Sequence, residues 1–449
     1  MTGTLIQPAL LTEDTTEKKT FSIFLLTMAL HILLVFFLRE FRILATLSAI
    51  SALLFGLYVL YHDATPTRLI YVAGYIASAE ILWRMTNANV FWEFGKYAAG
   101  LLFFLALLRY RMRLSALPIL YMTAQVPGIF MLIGWGFSLD YIRERISFNL
   151  SGPLLLTLSV LFFVQYTFKE KELRRLLLVM LVPIGSLSAL VMYSTLSART
   201  IAFSDGSNFV TSGGYGPNQV SGMLSLGVLL IYTYFLLEEY LSGNQRLVLF
   251  GLGILFFLQS ILTYSRGGVF NLLIPLPLAT LAFSHKRQSI NRFVFFGTIA
   301  IVILGYFVLP RLDVWTEGTL RQRFTDLDPT GRDEIIESQL GTFLENPIFG
   351  VGPGGSVFYT PTYGGIAKVA HTEFTRLLAE HGLLGVAASL FLVLMTTRIF
   401  IASNTRLDRF LALAFATWAL LDMTHAAMRL SVVSMLFGLS QANYGEDKF

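Results

Sequence analysis

The sequence predicts an all-α integral membrane protein, built as one polytopic bundle of about fourteen transmembrane helices (a range of about 12–14). Hydrophobic residues make up 55% of the 449 residues, charged residues make up 14%, and the mean hydropathy is +0.65. Soluble chains carry about 25% charged residues. One long polar passage, at residues 311–382, interrupts the apolar runs. We therefore expect a single domain, residues 1–449, whose long loop at 311–382 carries the functional groups.

The transmembrane helices are predicted from apolar runs that approach the roughly 20 residues needed to cross a bilayer. The runs are Phe21–Leu38, Ile43–Tyr61, Leu69–Leu82, Val90–Leu108, Leu114–Phe137, Leu150–Phe168, Leu176–Leu196, Val220–Leu237, Leu247–Tyr264, Val269–Phe283, Phe293–Leu309, Leu384–Phe400, Phe410–Leu421 and Leu430–Leu439. The last two are short and could instead be re-entrant segments. No small-residue cleavage site follows the first run, so we expect it to stay as a span and not to be a signal peptide.

Basic loops set the predicted orientation. The densest Lys/Arg clusters of the short loops are Arg109–Arg113, Lys169–Arg175, His285–Arg292 and Arg398–Arg409. The positive-inside rule places them in the cytoplasm together with the N-terminus, which puts the long loop outside. Arg39 and Arg42, in a short outside loop, argue mildly against this orientation. The same bias accounts for the net charge of +5, so no nucleic-acid partner is expected.

Two features bear on metals and cofactors, and none of either is predicted. The chain has no cysteine, which excludes disulfides, thiolate zinc sites, iron–sulfur clusters and cysteine nucleophiles. The triplet Asp326-Leu327-Asp328 could hold a divalent cation on a diphosphate. Pro329 follows it directly, however, and this pattern favours a solvated turn.

An amphipathic helix is predicted inside the long loop, over Gly331–Leu344. Its apolar residues recur with helical spacing; they are Ile335, Ile336, Leu340, Phe343 and Leu344. Such a helix is expected to lie along the membrane surface. Asn346-Pro347 should end it, and the glycines that follow should form a tight turn.

External arginines are the first candidates for chemistry. Arg199, Arg266 and Arg332, with Arg321 or Arg323, lie in separate outside segments, and several guanidinium groups together could hold a pyrophosphate. Arg266 is the sharpest candidate, because Thr263–Gly268 joins two very apolar helices and a charge placed there needs a partner or ligand. The alternative is that Arg266 snorkels to lipid headgroups or pairs with a carboxylate.

A histidine in the same loop is the second candidate. His371 precedes a helix at the membrane surface and could take a proton from an acceptor hydroxyl at neutral pH. Glu373 could share or replace that role. A helix-capping or interfacial histidine is an equally good interpretation of the spacing. Glu80, Glu93 and Lys96 lie within spans, and they keep a transporter hypothesis open, although Glu93 and Lys96 can pair on one helical face.

These motifs together resemble the O-antigen ligase/polymerase family of bacterial membrane glycosyltransferases. The resemblance lies in residues 199–385. It consists of Gly216-Pro217-Asn218 before a span, Ser265-Arg266-Gly267-Gly268 between spans, Gly331-Arg332, Asn346–Gly354, and His371 followed by Gly382. No single motif is specific, but their order within a long external loop is.

The resemblance implies a GT-C-like membrane glycosyltransferase at the periplasmic face of the bacterial inner membrane, working without a metal. The substrate would be an undecaprenyl-pyrophosphate-linked oligosaccharide. Its acceptor would be a lipid-linked repeat unit, for a polymerase of O-antigen or exopolysaccharide, or lipid A–core, for a ligase. Arg199, Arg266 and Arg332 would bind the pyrophosphate, with Arg323 or Arg321 as alternatives to Arg332, and His371 would activate the acceptor. The number of spans favours the polymerase, and a chain-length regulator is a candidate partner. A flippase for lipid-linked sugars is the third hypothesis.

Overall fold

The computed structural model describes residues 7–204, 206–238, 241–282, 287–326, 332–359, 370–403 and 405–445. The α-helices of this part are α1 (Gln7–Glu40), α2 (Arg42–His62), α3 (Thr67–Met85), α4 (Phe94–Arg109), α5 (Ala116–Thr123), α6 (Pro127–Gly134), α7 (Leu139–Phe163), α8 (Glu170–Ser197), α9 (Pro217–Leu237), α10 (Gly243–Leu262), α11 (Arg266–Leu273), α12 (Pro275–Ala282), α13 (Arg287–Val302), α14 (Leu309–Trp315), α15 (Thr319–Thr325), α16 (Arg332–Glu345), α17 (Glu373–Ala402), α18 (Arg406–Met423) and α19 (Ser431–Leu439). Two short strands, β1 (Thr167–Phe168) and β2 (Asn443–Tyr444), pair in parallel. Short 3₁₀ helices occupy Val210–Ser212 and Gly355–Phe358, and a π-helix occupies Ile303–Val308.

Within these described ranges, nine helical stretches are long and apolar enough to cross a membrane. They are Lys19–Glu40, Arg42–His62, Ala116–Gly134, Leu139–Phe163, Glu170–Ser197, Pro217–Leu237, Gly243–Leu262, Gly297–Trp315 and Glu373–Ala402. The prediction of an all-α, multi-pass membrane protein is confirmed at this level. Fourteen crossings and the GT-C-like arrangement stay predictions.

Proline divides two of the predicted spans into paired helices. The run Leu114–Phe137 contains α5 and α6, and Pro127 is the first residue of α6. Likewise Pro275 opens α12 directly after α11. Proline suits the first turn of a helix because its missing N–H would have no partner there, whereas inside a helix it removes a hydrogen bond. Each proline therefore ends one helix and starts the next.

The last helix is the most enclosed part of the bundle. Every residue of α19 is buried, and this helix packs against α7, α18 and α3. In contrast, α1 and α2 expose large apolar side chains along their length, such as Leu33, Phe37 and Leu54. A bundle centred on α19 with α1 and α2 facing lipid fits the apolar composition of both regions.

The loops lie at two opposite faces of the bundle, and helix α3 runs from one face to the other. Near its first residue, the Thr67 hydroxyl hydrogen-bonds that of Tyr166 at 3.0 Å, beside the β1–β2 pair. Near its last residue, Arg84 donates to the carbonyl of Arg429 at 3.1 Å. A helix of 19 residues is about 28 Å long. We call the face at Arg84 and Arg429 the site face, because it holds the loops predicted to lie outside.

The long loop is helical over much of its described length, as α14, α15 and α16. Helix α16 confirms the predicted helix, whose first residue, Gly331, lies outside the described residues. Its buried face, however, is Ile335, Ser338, Gln339 and Thr342, and it packs on α17. The apolar residues Ile336, Leu340 and Leu344 are exposed. They therefore form a face that α16 does not use against the bundle.

Helix α17 is kinked at Gly382, whose φ of 61° and ψ of −137° are not helical. A Cβ there would lie 2.5 Å from the carbonyl oxygen of Pro347. The Asn346–Gly355 turn seats against this kink: Leu383 donates to Pro347 at 2.7 Å, and Gly352 donates to Glu380 at 3.0 Å. The kink separates Glu373–His381, on the site face, from the span that follows.

Candidate active site

Arg266 is the first residue of α11, and the turn before it is tightly held. Tyr264 has a φ of 58°, in the left-handed region that non-glycine residues seldom adopt. The Ser265 hydroxyl donates to the Asn218 side chain at 2.8 Å. A Cβ on Gly268 would lie 2.0 Å from the Ser221 hydroxyl. The Gly-Pro-Asn and Ser-Arg-Gly-Gly motifs are therefore two sides of one packed joint between α9 and α11.

Arg323 holds this turn by a hydrogen bond, and Arg266 follows the turn directly. Arg323 is 5% exposed and its Nε donates to the Tyr264 carbonyl at 3.0 Å. Arg266 is half-buried and donates to the carbonyl of Asp326. Arg321 is exposed, with its backbone N–H on Asp313. Arg323 thus supports the backbone that presents Arg266.

Arg332 comes close to Arg266 although 66 residues separate them in the chain. Arg332 is half-buried at the start of α16. Burial lowers the pKa of its guanidinium, and the positive charge of Arg266 lowers it further. Two guanidinium groups that interact in this way repel each other, and a bound anion would relieve the repulsion.

His371 reaches the same place from the other side. It is half-buried, two residues before α17. His371 is related to Arg332 and Arg266 through His425, a residue that follows α18. Burial, then the charge of Arg332, and also the charge of His371 lower the pKa of His425 to about 3. The His425 ring also packs on Gly267, where a Cβ would lie 2.6 Å from it. The structure therefore places Gly267, next to Arg266, against His425, and it places Arg332 and His371 near enough for their charges to act on the same ring.

Arg199 lies exposed in a cavity of ≈ 500 Å³ that also contains Phe203, Trp315 and Glu317. Phe203 stacks on Tyr264, with ring centroids 5.5 Å apart. The segment that carries Arg199 therefore packs beside the turn that carries Arg266. Arg199 thus lies in the same region of the site face as Arg266.

Glu373, the other predicted catalytic residue, is buried in an ion-pair triad. Its two oxygens accept from Arg376 at 2.5 and 3.0 Å, and Arg376 also contacts Glu380 at 2.7 Å. Glu380 accepts from the Ser356 hydroxyl at 3.1 Å. Both carboxylate oxygens of Glu373 are thus engaged by one guanidinium on its own helix.

The intramembrane charges that favoured a transporter are each held in an ion pair. Glu80 lies 2.6 Å from Arg84, and Glu93 lies 2.5 Å from Lys96. All four side chains are at most 5% exposed. Glu80 also accepts from the backbone N–H of Ser431 at 2.6 Å. These four charges cancel, so the group needs no transported ion for neutrality.

The metal alternative rests on the aspartate triplet, and only its first member is described. The backbone carbonyl of Asp326 accepts from Arg266. Leu327 and Asp328 lie outside the described residues, so the cation site remains an untested alternative.

Sequence reasoning missed His425 and Arg429, which lie between the last two apolar runs. Arg429 donates to the Ala370 carbonyl at 2.8 Å, directly before His371. A signal was present: two ionisable residues in a five-residue stretch between short, strongly apolar runs. Their roles depend on contacts with segments more than 50 residues away, which local pattern does not encode.

A comparison with protein families found one match, and it covers part of this group of residues. Residues 251–390 match the model of the family described as O-antigen ligase. The match contains Arg266, Arg323, Arg332, His371 and Glu373; Arg199, His425 and Arg429 fall outside it. No match was found among the curated proteins. The predicted resemblance to the O-antigen ligase/polymerase family is thus confirmed, and it indicates a ligase-type, glycosyltransferase-like function.

Proposed function

From the premise that this chain resembles the O-antigen ligase/polymerase family through residues 251–390, we propose that it is a metal-independent glycosyltransferase of the bacterial inner membrane. It would move an undecaprenyl-pyrophosphate-linked glycan onto an acceptor sugar hydroxyl at the periplasmic face. The acceptor that we propose is another lipid-linked repeat unit, which makes the enzyme a polymerase of O-antigen or exopolysaccharide repeats.

The single observation that carries this proposal is the convergence on His425. The His425 ring packs on Gly267, next to Arg266. Burial, followed by the charges of Arg332 and His371, lowers the pKa of His425. The proposed site thus combines Arg266 of α11, Arg332 of α16 and His371, which precedes α17. This composition suits an anionic leaving group beside a hydroxyl that must lose a proton.

The proposed reaction needs two groups of side chains. The acceptor oxygen attacks the anomeric carbon as the bond from that carbon to the phosphate oxygen breaks, and the bonding electrons leave with undecaprenyl pyrophosphate. Arg266 and Arg332, with Arg199, would neutralise the charge that develops on the leaving group. Fixed donors do this without reorganising during the reaction. His371 would take the proton of the acceptor hydroxyl.

Glu373 fits a supporting role better than that of the base. Its bidentate pair with Arg376 occupies both carboxylate oxygens. The triad sits in the first turns of α17, immediately after His371. We therefore propose His371 as the base and Glu373 as part of the support of its helix.

The ligase alternative is favoured by the description of the matching family. In that case the acceptor would be lipid A–core, and the same arginines and histidine would serve. A flippase is disfavoured by the internal pairing of Glu80, Arg84, Glu93 and Lys96.

The test is transfer by the purified protein in lipid nanodiscs. With undecaprenyl-pyrophosphate repeat units alone, a polymerase gives a ladder of longer lipid-linked products. A ligase gives product only when lipid A–core is added. We expect His371→Ala to lower the rate about 10²–10⁴-fold, and Arg266→Ala about 10²–10³-fold.

Two matched controls separate the site from general damage. His62→Ala removes an exposed histidine, and Arg68→Ala removes an arginine that is 73% exposed. Both should keep the wild-type rate. Wild-type protein that transfers glycan to neither acceptor, or a His371→Ala variant as active as His62→Ala, would overturn the proposal.

A further inference from the structure

The turn between α18 and α19, residues 424–430, separates the two halves of the proposed site. On one flank, His425 packs on Gly267, the neighbour of Arg266. On the other, Arg429 donates to the carbonyl of Ala370, the neighbour of His371. The turn therefore touches both the phosphate-binding side and the base side through backbone that adjoins each reactive residue.

The His425 flank is fixed by a buried hydrogen-bond chain. The Asn271 amide donates to Asp422 at 3.0 Å, which directs the Asn271 carbonyl oxygen to His425 Nε2 at 3.1 Å. Nε2 must therefore carry the proton. Asn271 belongs to α11 and Asp422 to α18. This chain ties the helix that begins with Arg266 to the start of the turn.

The Arg429 flank is fixed by hydrogen bonds to side chains of α3. The carbonyl of Arg429 accepts from Arg84 at 3.1 Å, and Arg84 is held by Glu80 at 2.6 Å. The backbone N–H of Ser431 also donates to Glu80. Ala427 has a φ of 52°, so the turn has a conformation that its surroundings must hold in place. Both ends of the turn are thus anchored in the bundle.

We propose that the 424–430 turn is a positioning element, in which His425 fixes the backbone that presents Arg266 and Arg429 fixes the backbone that presents His371. This inference rests on the proposed function for its catalytic consequence. The two positioning residues lie outside the region matched by the family. Their effect is to keep the separation between the phosphate-binding arginines and the base, and an error of about 1 Å in such a separation can cost about 10²-fold in rate.

The experiment combines kinetics with a distance measurement. His425→Ala and Arg429→Met should lower kcat about 10–100-fold, while KM for the lipid-linked glycan stays within about threefold, since neither residue is expected to bind it. His425→Gln should recover most of kcat, because its amide can donate toward Asn271. Arg429→Lys keeps the charge but not the planar fork, so it should recover less.

The absence of cysteine allows spin labels to be placed at two chosen sites, Phe270→Cys on α11 and Thr372→Cys beside His371. We expect His425→Ala and Arg429→Met to shift or broaden the distance between the labels. Matched controls are His31→Gln, at a half-buried histidine hydrogen-bonded to Ser186 and Tyr75, and Arg409→Met, at an arginine whose guanidinium donates to the Ser403 carbonyl at 3.1 Å. Both should leave the distance unchanged.

Each outcome decides between the two proposals. Label distances and kcat that stay unchanged in His425→Ala and Arg429→Met overturn the positioning role. A His425→Gln variant as inactive as His371→Ala, with unchanged distances, also overturns it, because His425 would then act on the substrate itself. Wild-type protein without transfer activity defeats the proposed function, and the label distances still decide the positioning role. If the Ala and Met variants do not fold, His425→Gln and Arg429→Lys supply the same comparison.

Discussion

At the scale of single residues, the arginines of the site face have different environments despite their shared chemistry. Arg323 is buried and holds the Tyr264 carbonyl. Arg266 and Arg332 are half-buried, and burial and then the charge of Arg266 lower the pKa of Arg332. A guanidinium on a buried carbonyl is used in the fold, whereas two that repel each other at a surface suit an anion. Burial thus ranks Arg266 and Arg332 above Arg323 as candidates for the pyrophosphate.

Glu373 gives a test that distinguishes support from catalysis. Glu373→Gln leaves Arg376 with Glu380 as its carboxylate partner, and breaking a buried ion pair costs about 3–5 kcal/mol. We expect a lower midpoint of thermal unfolding, with the transfer rate at low temperature within about tenfold of wild type. Glu337→Gln, on the exposed side of α16, is the matched control. An unchanged midpoint with a rate reduced by 10² or more would return Glu373 to the role of base.

At the scale of elements, the Asn-Pro-x-x-Gly-x-Gly run packs against the kink of α17, and this contact explains its glycines. The positive φ values of Gly350, Gly352 and Gly382 occur where two backbones meet. A Cβ on Gly350 would lie 2.4 Å from the backbone of His381. The glycine turn that follows α16 is therefore fixed against α17 near Gly382. Helix α16 also packs on α17, so these contacts hold His371 relative to Arg332.

A substitution at the kink tests this lock. Gly382→Ala would place a Cβ 2.5 Å from the Pro347 carbonyl, at a φ of 61° and a ψ of −137°. We expect a loss of at least about 1–3 kcal/mol of unfolding free energy from the backbone strain, read as a lower unfolding midpoint. Gly251→Ala in α10, where a Cβ meets nothing within 4 Å, should be neutral or should stabilise by about 0.5–1 kcal/mol. Equal midpoints for the two variants would show that the kink bears no strain.

At the scale of the whole molecule, the membrane face at which each loop lies determines on which side of the membrane the proposed reaction occurs. Strand β1, after α7, pairs with β2 near the C-terminus, and Arg174 contacts Glu238 at 3.3 Å. These segments belong to the face predicted to be cytoplasmic. The site face lies at the other end of α3. Because the two strands pair at one face, the chain between them must cross the membrane an even number of times. The proposed site lies at the opposite face.

Single cysteines in the cysteine-free chain test that topology. Ser204→Cys lies on the site face, whereas Lys171→Cys and Asn443→Cys lie at the opposite face; all three positions are exposed. A membrane-impermeant maleimide added to spheroplasts should label Ser204→Cys, and should label the other two only after permeabilisation. Labelling of Lys171→Cys in intact spheroplasts would reverse the orientation and place the site in the cytoplasm.

By itself, the sequence determined the class of the protein, the place of its long loop, and the chemistry of the residues that the loop presents. Apolar runs, basic loops and Asn-Pro-Gly signals act over short stretches, so α16 and the glycine turn that follows it could be predicted. The tertiary structure decided which charges stay accessible to solvent and which are used in the fold. It buried Arg323 and Glu373, and it brought His425 and Arg429 between Arg266 and His371. Those outcomes depend on packing between segments far apart in the chain, and the energy of a charge depends on its surroundings, which local sequence does not specify.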